Sequence, residues 1–384
     1  MADQRLSKFL TFQFKSLLQK SSPWWGAFFV WLLVVLPARA QLELRVAIRN
    51  GADQVTLGSS TNAVIRDASG QALWQLPGQQ AMQADYANGQ VAFGDWQGDM
   101  FWVEPDEGGY VYIGDRWYRG RVLVMPSSSG LLAINYVDIE AYLYSVLGGE
   151  MPTNWPLQAL QAQAVAARSY ALYKRQNASN TLYDVGGTTT WQVYRGVVDE
   201  TATTHAAVDA TTGQVLTYGG QIIEAVFHSS SGGYTENVED VWTQPLPYLR
   251  GVKDFDEGAP VYQWVESFSA DQFRQRIPGV GNLIAAIPER TTPRGRVVTM
   301  RLQGNLGTRV LSGDELRRAL GLRSTLFSLN IVEGGGVEVY GRGFGHGIGL
   351  SQWGAYNLAA QGADYRQILA HYYRDTALAR IQVQ

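Results

Sequence analysis

The chain has 384 residues, with 31 Lys plus Arg against 34 Asp plus Glu, a net charge of −3, 46% apolar residues and no cysteine. That apolar share excludes disorder over most of the length, and the missing cysteine excludes disulfide staples and Cys-built metal sites. A pI near 5.9 gives no basic footprint for nucleic acid, and the length predicts two domains, three at most.

Residues 1–40 carry Arg5, Lys8, Lys15, Lys20 and Arg39 against Asp3 alone. An uncharged run at 24–36 follows, then Pro37-Ala38-Arg39-Ala40. This is the charged, apolar and small-residue pattern of a secretory signal. Its apolar run is shorter than the roughly 20 residues that a spanning helix needs, although an uncleaved N-terminal membrane anchor is the alternative. Removal takes five cationic side chains and one acidic one and leaves a net charge of −7. The expectation is an exported protein, periplasmic or cell-wall associated.

From 41 to 118 short alternating runs recur between Gly, Asn and Asp, among them Leu44 to Ile48, Ala63 to Ile65 and Tyr110 to Ile113. They predict a small all-β module without a catalytic constellation. A hairpin follows, Arg121 to Met125 and Leu131 to Ile134, turned by Pro126-Ser-Ser-Ser-Gly130. Asp138 then caps a helix whose Ile139, Leu143, Val146 and Leu147 share one face, with Gly148-Gly149 as its stop. A second helix is expected from Pro156 to Gln176, with Thr153 or Asn154 as cap candidates. It is rich in alanine, so another backbone can approach closely. Between 189 and 226 β-like runs resume, then a mixed segment reaches Tyr340 with one helix-like stretch at 314–320. A helix near 364–373 and a strand near 378–383 close the chain.

Three stretches carry candidate chemistry. Glu150 is the only acid in the junction Gly148-Gly149-Glu150-Met151-Pro152-Thr153-Asn154-Trp155. Partial desolvation there raises a carboxyl pKa toward proton donation near neutral pH; capping the next helix, or facing solvent, is the plainer role. The loop His228-Ser229-Ser230-Ser231-Gly232-Gly233-Tyr234 offers hydroxyls suited to a sugar or oxyanion, and equally describes an exposed turn. In 341–349 glycine recurs at every second position. Read as a strand, that leaves one bare face for a second backbone or a flat ligand, with Phe344 and His346 projecting from the other. The dinucleotide fingerprint is incomplete, G-x-S-x-G is missed by one position around Ser351, and His205, His228, His346 and His371 form no H-E-x-x-H pair. Neither a serine hydrolase nor a zinc enzyme is favoured.

The segment Leu147-Gly-Gly-Glu150-Met-Pro152-Thr-Asn-Trp155-Pro156 through Arg168-Ser-Tyr-Ala resembles the signature of the stage II sporulation protein D and amidase-enhancer family. Further matches follow in order: Gln192-Val-Tyr194, His228 to Asn237, Glu239-Asp240-Val-Trp242, Leu246-Pro-Tyr-Leu249, and Gly341 through His346 to Ser351-Gln352-Trp353-Gly-Ala355. The likeness covers roughly residues 119–376. It implies a peptidoglycan-acting domain over 119–384 and, from the sporulation members, a lytic transglycosylase of glycan strands stripped of stem peptides. Glu150 aligns with the family's catalytic acid. Arg168 aligns with its motif arginine, roughly 18 Å along the helix from Pro156, and is expected to be a support or substrate contact. His228, Ser229, Ser231, Tyr234, Asp240, His346, Ser351 and Gln352 are the expected strand-binding residues. Gly148-Gly149 replaces the commoner Pro-Ser and is expected to loosen the loop. No cofactor or metal is implied, and the partners are glycan strands and, in the amidase-enhancer alternative, a separate cell-wall amidase. That alternative is noncatalytic glycan binding; a purely structural envelope protein is a third. The expected fold is α+β: mainly β elements with a helix-loop-helix hairpin, preceded by the small β module.

Overall fold

The computed structural model describes residues 42–178, 181–242 and 244–381; the expected signal at 1–40 lies outside them. Alternation in the strand Glu43–Ala52 sends Leu44 and Val46 into the core. This strand lies antiparallel to Gly130–Asp138, with Glu43 opposite Asp138. The first described strand therefore braces the one that leads into the first helix. The sheet runs Val185–Gly186, Glu43–Ala52, Gly130–Asp138, Arg121–Ser127, Phe101–Pro105, Ala63–Arg66, Ala72–Leu76. A six-stranded sheet containing Gln54–Ser59, Gln80–Ala87 and Val111–Ile113 shares its core. The boundary expected at 118 thus falls inside one packed unit: Phe101–Pro105 pairs with Arg121–Ser127, and the Tyr118 ring meets Tyr194 at 5.3 Å.

Helix α1 (Ile139–Glu150) starts as expected, with the Asp138 carboxylate accepting from the N–H groups of Glu140 (2.9 Å) and Ala141 (3.3 Å). It does not stop at the glycine pair. Both glycines are helical, and the chain at 193–199 presses on them: a Cβ on Gly148 would stand 2.0 Å from the Asp199 carbonyl oxygen, and one on Gly149 2.8 Å from that of Val193. The pair permits a close backbone contact, so the expected loosening is corrected to a tight clamp. Helix α2 (Leu157–Gln176) begins one residue after Pro156 and has no side-chain cap. It is buried continuously from Ala159 to Leu172, and its alanines let neighbours pack around it on every side.

Where β-like runs were expected after 189, the chain instead forms α3 (Ala202–Ala210), opened by a reciprocal Thr201/Thr204 capping box. Strand Gln214–Tyr218 follows and pairs with the last strand, Ala377–Arg380. After the short α4 (Val238–Val241) comes a segment with a hydrophobic core of its own, built on Trp264, Phe273, Leu302, Leu316 and Val339. It holds strands Gln263–Phe268, Leu283–Thr291, Val297–Gly304, Thr308–Ser312, Phe327–Ile331 and Val337–Arg342 with α5 (Ala270–Arg276) and α6 (Gly313–Leu320). Its end strands pair, Gln263 opposite Arg342, so the chain leaves and re-enters the main body at one point. Helices α7 (Gln352–Ala360) and α8 (Tyr365–Tyr372) complete a mixed α+β architecture with a β module ahead of the helices.

Candidate active site

Glu150 is the last residue of α1, and its side chain opens onto a cleft of about 690 Å³. One wall is the main body, through Phe227, Ser229, Asp240 and Trp242. The other is the inserted subdomain, through Thr292, Arg296, Asp314 and Arg317. The Val193 N–H donates to Glu150 Oε1 at 2.7 Å, and the Gln352 side chain makes a second hydrogen bond. Burial is the largest influence on the carboxyl and raises its pKa; the two hydrogen bonds pull the other way without cancelling it. Its place at the negative end of α1 disfavours ionisation further. No neighbouring charge figures among the causes of the shift. A buried, hydrogen-bonded carboxyl whose pKa is raised holds its proton longer than a free glutamate and is better placed to deliver it into the cleft.

The turn after Glu150 is fixed by stacking. Trp155 meets Trp353 at 4.6 Å and Tyr356 at 4.9 Å between ring centroids. These contacts tie the 151–156 turn to α7, whose first residue is Gln352. Ser351 caps that helix by accepting from the Gly354 N–H at 3.2 Å. A cap, an aromatic cluster and a tightly packed glycine pair together set the position of one carboxyl group.

The run 341–349 is not a strand past Arg342. Gly343, Gly345, Gly347 and Gly349 all take positive φ, between 70° and 107°; alternate residues in the left-handed region coil the chain instead of extending it. The bare positions are filled by protein: a Cβ on Gly347 would fall 2.1 Å from the Arg296 guanidinium, and one on Gly349 2.2 Å from the Val226 carbonyl oxygen. Of the two uses foreseen for a bare face, backbone packing is the one found. Arg296 is fully buried there, donating to the carbonyl oxygens of Ser231 (2.9 Å) and Gly345 (3.2 Å), and burial pulls its pKa down to about 10. The coil aims Phe344, 43% exposed, and His346 into the cleft.

Of the residues singled out in the sequence, Glu150, His228, Ser229, Asp240, His346 and Gln352 line this cleft. His346 Nε2–H donates to the Phe227 carbonyl (2.9 Å) while Nδ1 accepts from the Ile348 N–H (3.0 Å). Both ring nitrogens are thus committed, and burial keeps the ring neutral. His228 donates from Nδ1 to the Ile348 carbonyl (3.1 Å) and is held neutral, its pKa pushed down to about 3 by burial. Three expected substrate contacts are corrected, and of the two roles expected for Arg168, support is the one found. Arg168 has 0% exposure, gripping Glu140 at 3.0 and 2.5 Å and the Gln214 carbonyl at 3.0 Å; it ties α2 to α1 and to the strand after α3. Ser231 is buried and donates to Asp254 at 2.5 Å. Ser351 is the buried cap of α7. Tyr234 is exposed outside the cleft, under the Arg294 guanidinium at 4.5 Å. Residues missed from sequence, Trp242, Thr292, Arg296, Asp314 and Arg317, come mostly from the inserted subdomain. Only Trp242 lay in a recognisable motif.

Two family models match the chain. One, described as stage II sporulation protein, spans residues 127–218 and takes in α1, α2 and Glu150; the other, described as a domain of unknown function, spans 247–349 and takes in the inserted subdomain. The chain is 33% identical over 264 residues to an uncharacterized protein of Brachyspira hyodysenteriae, covering 67% of this chain and 70% of that one. It is 34% identical over 267 residues to stage II sporulation protein D of Bacillus subtilis, 64% of this chain and 76% of that one. To the amidase enhancer of Bacillus subtilis it is 31% identical over 292 residues, 62% of this chain but only 40% of that one. The chain belongs to the stage II sporulation protein D family.

Proposed function

We propose that this is an exported cell-envelope protein that acts as a lytic transglycosylase on peptide-stripped peptidoglycan glycan strands, with Glu150 as its acid and base. The observation that carries the reading is the buried Glu150 carboxyl, raised in pKa, at the floor of a cleft of about 690 Å³. Ordinary glycosidases divide the work between two carboxyl groups, one protonating the leaving oxygen and one attacking or activating water. A single acid suffices when the sugar supplies its own nucleophile. Glu150 gives its proton to the oxygen of the MurNAc–GlcNAc bond as the bond from C1 breaks. The C6 oxygen of the same MurNAc then bonds to C1, its proton passes to the Glu150 carboxylate, and a 1,6-anhydro end is left with the acid restored. Gln352 and the Val193 N–H hold the carboxylate between the two transfers.

Digestion of peptide-free glycan strands with the wild-type protein and with Glu150→Gln tests this. Anhydro product should fall by about 100-fold or more; equal yields would reject the assignment. The name of the amidase-enhancer relative favours a second reading, noncatalytic strand binding in support of an amidase. There Glu150→Gln would leave both strand binding and amidase stimulation intact.

A further inference from the structure

The inserted subdomain carries a second concavity, of about 730 Å³, that shares no lining residue with the Glu150 cleft. Its floor is the outer face of the three-stranded sheet Gln263–Phe268, Val337–Arg342, Phe327–Ile331. Alternation sends Trp264, Phe268, Val337 and Val339 into the subdomain core and leaves Gln263, Val265, Ser328, Tyr340 and Arg342 outward. Tyr340 is 44% exposed at the centre, opposite Val265 on one neighbouring strand and Ser328 on the other. Its hydroxyl donates to Glu338 at 2.6 Å, which fixes the ring's edge. One wall is the turn bearing Arg294, whose guanidinium is held over the Tyr234 ring. Among the described residues neither Arg294 nor Arg342 forms an ion pair, although the chain as a whole is acidic.

An exposed aromatic platform flanked by amide and hydroxyl groups is amphipathic in the way a sugar ring is: apolar on its face, hydrogen-bonding at its rim. Two unpaired guanidinium groups beside it add a preference for carboxylate, which arginine can bind through paired N–H groups. Three segments pass from one concavity to the other within two residues: Arg294 to Arg296, Thr325 to Leu326, and Arg342 to Phe344. The two are thus separated by a single ridge.

We propose that this sheet face is a second glycan-binding site, in which Tyr340 stacks a sugar ring and Arg294 and Arg342 bind a free carboxylate on a strand that also occupies the Glu150 cleft. The choice of ligand rests on the function proposed above. In a peptide-free strand the lactyl carboxylates are free and anionic; a stem peptide converts each into an uncharged amide. At the lactyl group itself, the site therefore favours the stripped strand.

Equilibrium binding to peptide-free strands is measured in the Glu150→Gln background so that the strands are not consumed, with N-acetylglucosamine hexamer as the carboxylate-free comparison. Joint Arg294→Gln and Arg342→Gln substitution should weaken strand binding about tenfold, flatten its salt dependence, and leave the hexamer unaffected. Tyr340→Ala should weaken both. All three residues are on the surface, so an unchanged melting temperature is expected and serves as the folding control. Unchanged strand affinity in every variant would overturn the site, and an effect of Tyr340→Ala without one from the arginines would overturn the carboxylate assignment. Should Glu150→Gln itself still release anhydro ends, the catalytic reading fails, and the same variants are then compared by initial strand binding, before appreciable cleavage, so that the two failures stay distinguishable.

Discussion

Burial, a helix end and two hydrogen bonds act on the Glu150 carboxyl, and their balance sets its working pH. Because the net shift is upward, the neutral acid persists to higher pH than in a free glutamate, and turnover should fall on the alkaline side as the proton is lost. Gln352 stabilises the ionised form, so Gln352→Ala should move that alkaline limb further up in a pH profile of kcat. A limb displaced downward would mean that burial is not what governs the group. Stability gives an independent reading of the same sign. Above the ordinary carboxyl pKa the unfolded side chain sheds its proton while the buried one resists doing so, which costs stability, so Glu150→Gln should raise the unfolding midpoint at neutral pH. The gain should vanish as pH falls below about 4, where the unfolded side chain is protonated too. Glu150 was legible as a candidate because its neighbours Gly, Met, Pro and Trp announce a constrained, apolar junction. Arg168 was not resolved by the same means, since a motif arginine can brace a helix or hold a substrate, and only its burial against Glu140 decides.

At the scale of elements, propensity and distant contact disagree at instructive places. The glycine pair 148–149 locally reads as a helix stop, yet the helix continues because the backbone at 193–199 needs that room. Gly148→Ala removes an intrinsic helix penalty but drives a methyl group into the Asp199 carbonyl. The clash should win, lowering stability by about 1–3 kcal/mol in denaturant unfolding and reducing turnover through displacement of Glu150. A stabilised variant would show that the contact is soft. The alternating glycines at 341–349 repeat the lesson: period two suggests a strand, but four positive-φ residues make a coil that grips Arg296. Capping signals were mixed: Asp138 opens α1 as its sequence predicts, because an N-cap bond joins atoms only two or three residues apart, whereas neither Thr153 nor Asn154 caps α2, which starts behind Pro156.

For the whole molecule, the cleft exists because two separate hydrophobic cores meet across it. One lies beneath α1 and α2 and the other inside 263–342. Leu302 is fully buried in the second, so Leu302→Ala should cost about 2–5 kcal/mol. In hydrogen exchange the lost protection should be confined to roughly 263–342 while the strands around Leu44 and Val122 stay protected. Uniform loss throughout would mean that the two cores unfold as one. The subdomain escaped sequence reading because its short strands and two amphipathic helices look like any mixed segment. Its closure depends on Gln263 finding Arg342, far away along the chain.

The sequence alone determined the mixed α+β class, the helical hairpin, the single acid at its junction and the family, since each is written in contiguous residues through periodicity, capping and motif. The tertiary structure alone decided which of the motif residues face the cleft and which are struts. It also brought the inserted subdomain over Glu150 and gave the glycine run its coiled shape. Those outcomes depend on close approaches between segments far apart in the chain, and nothing within a single segment records what will come to lie against it.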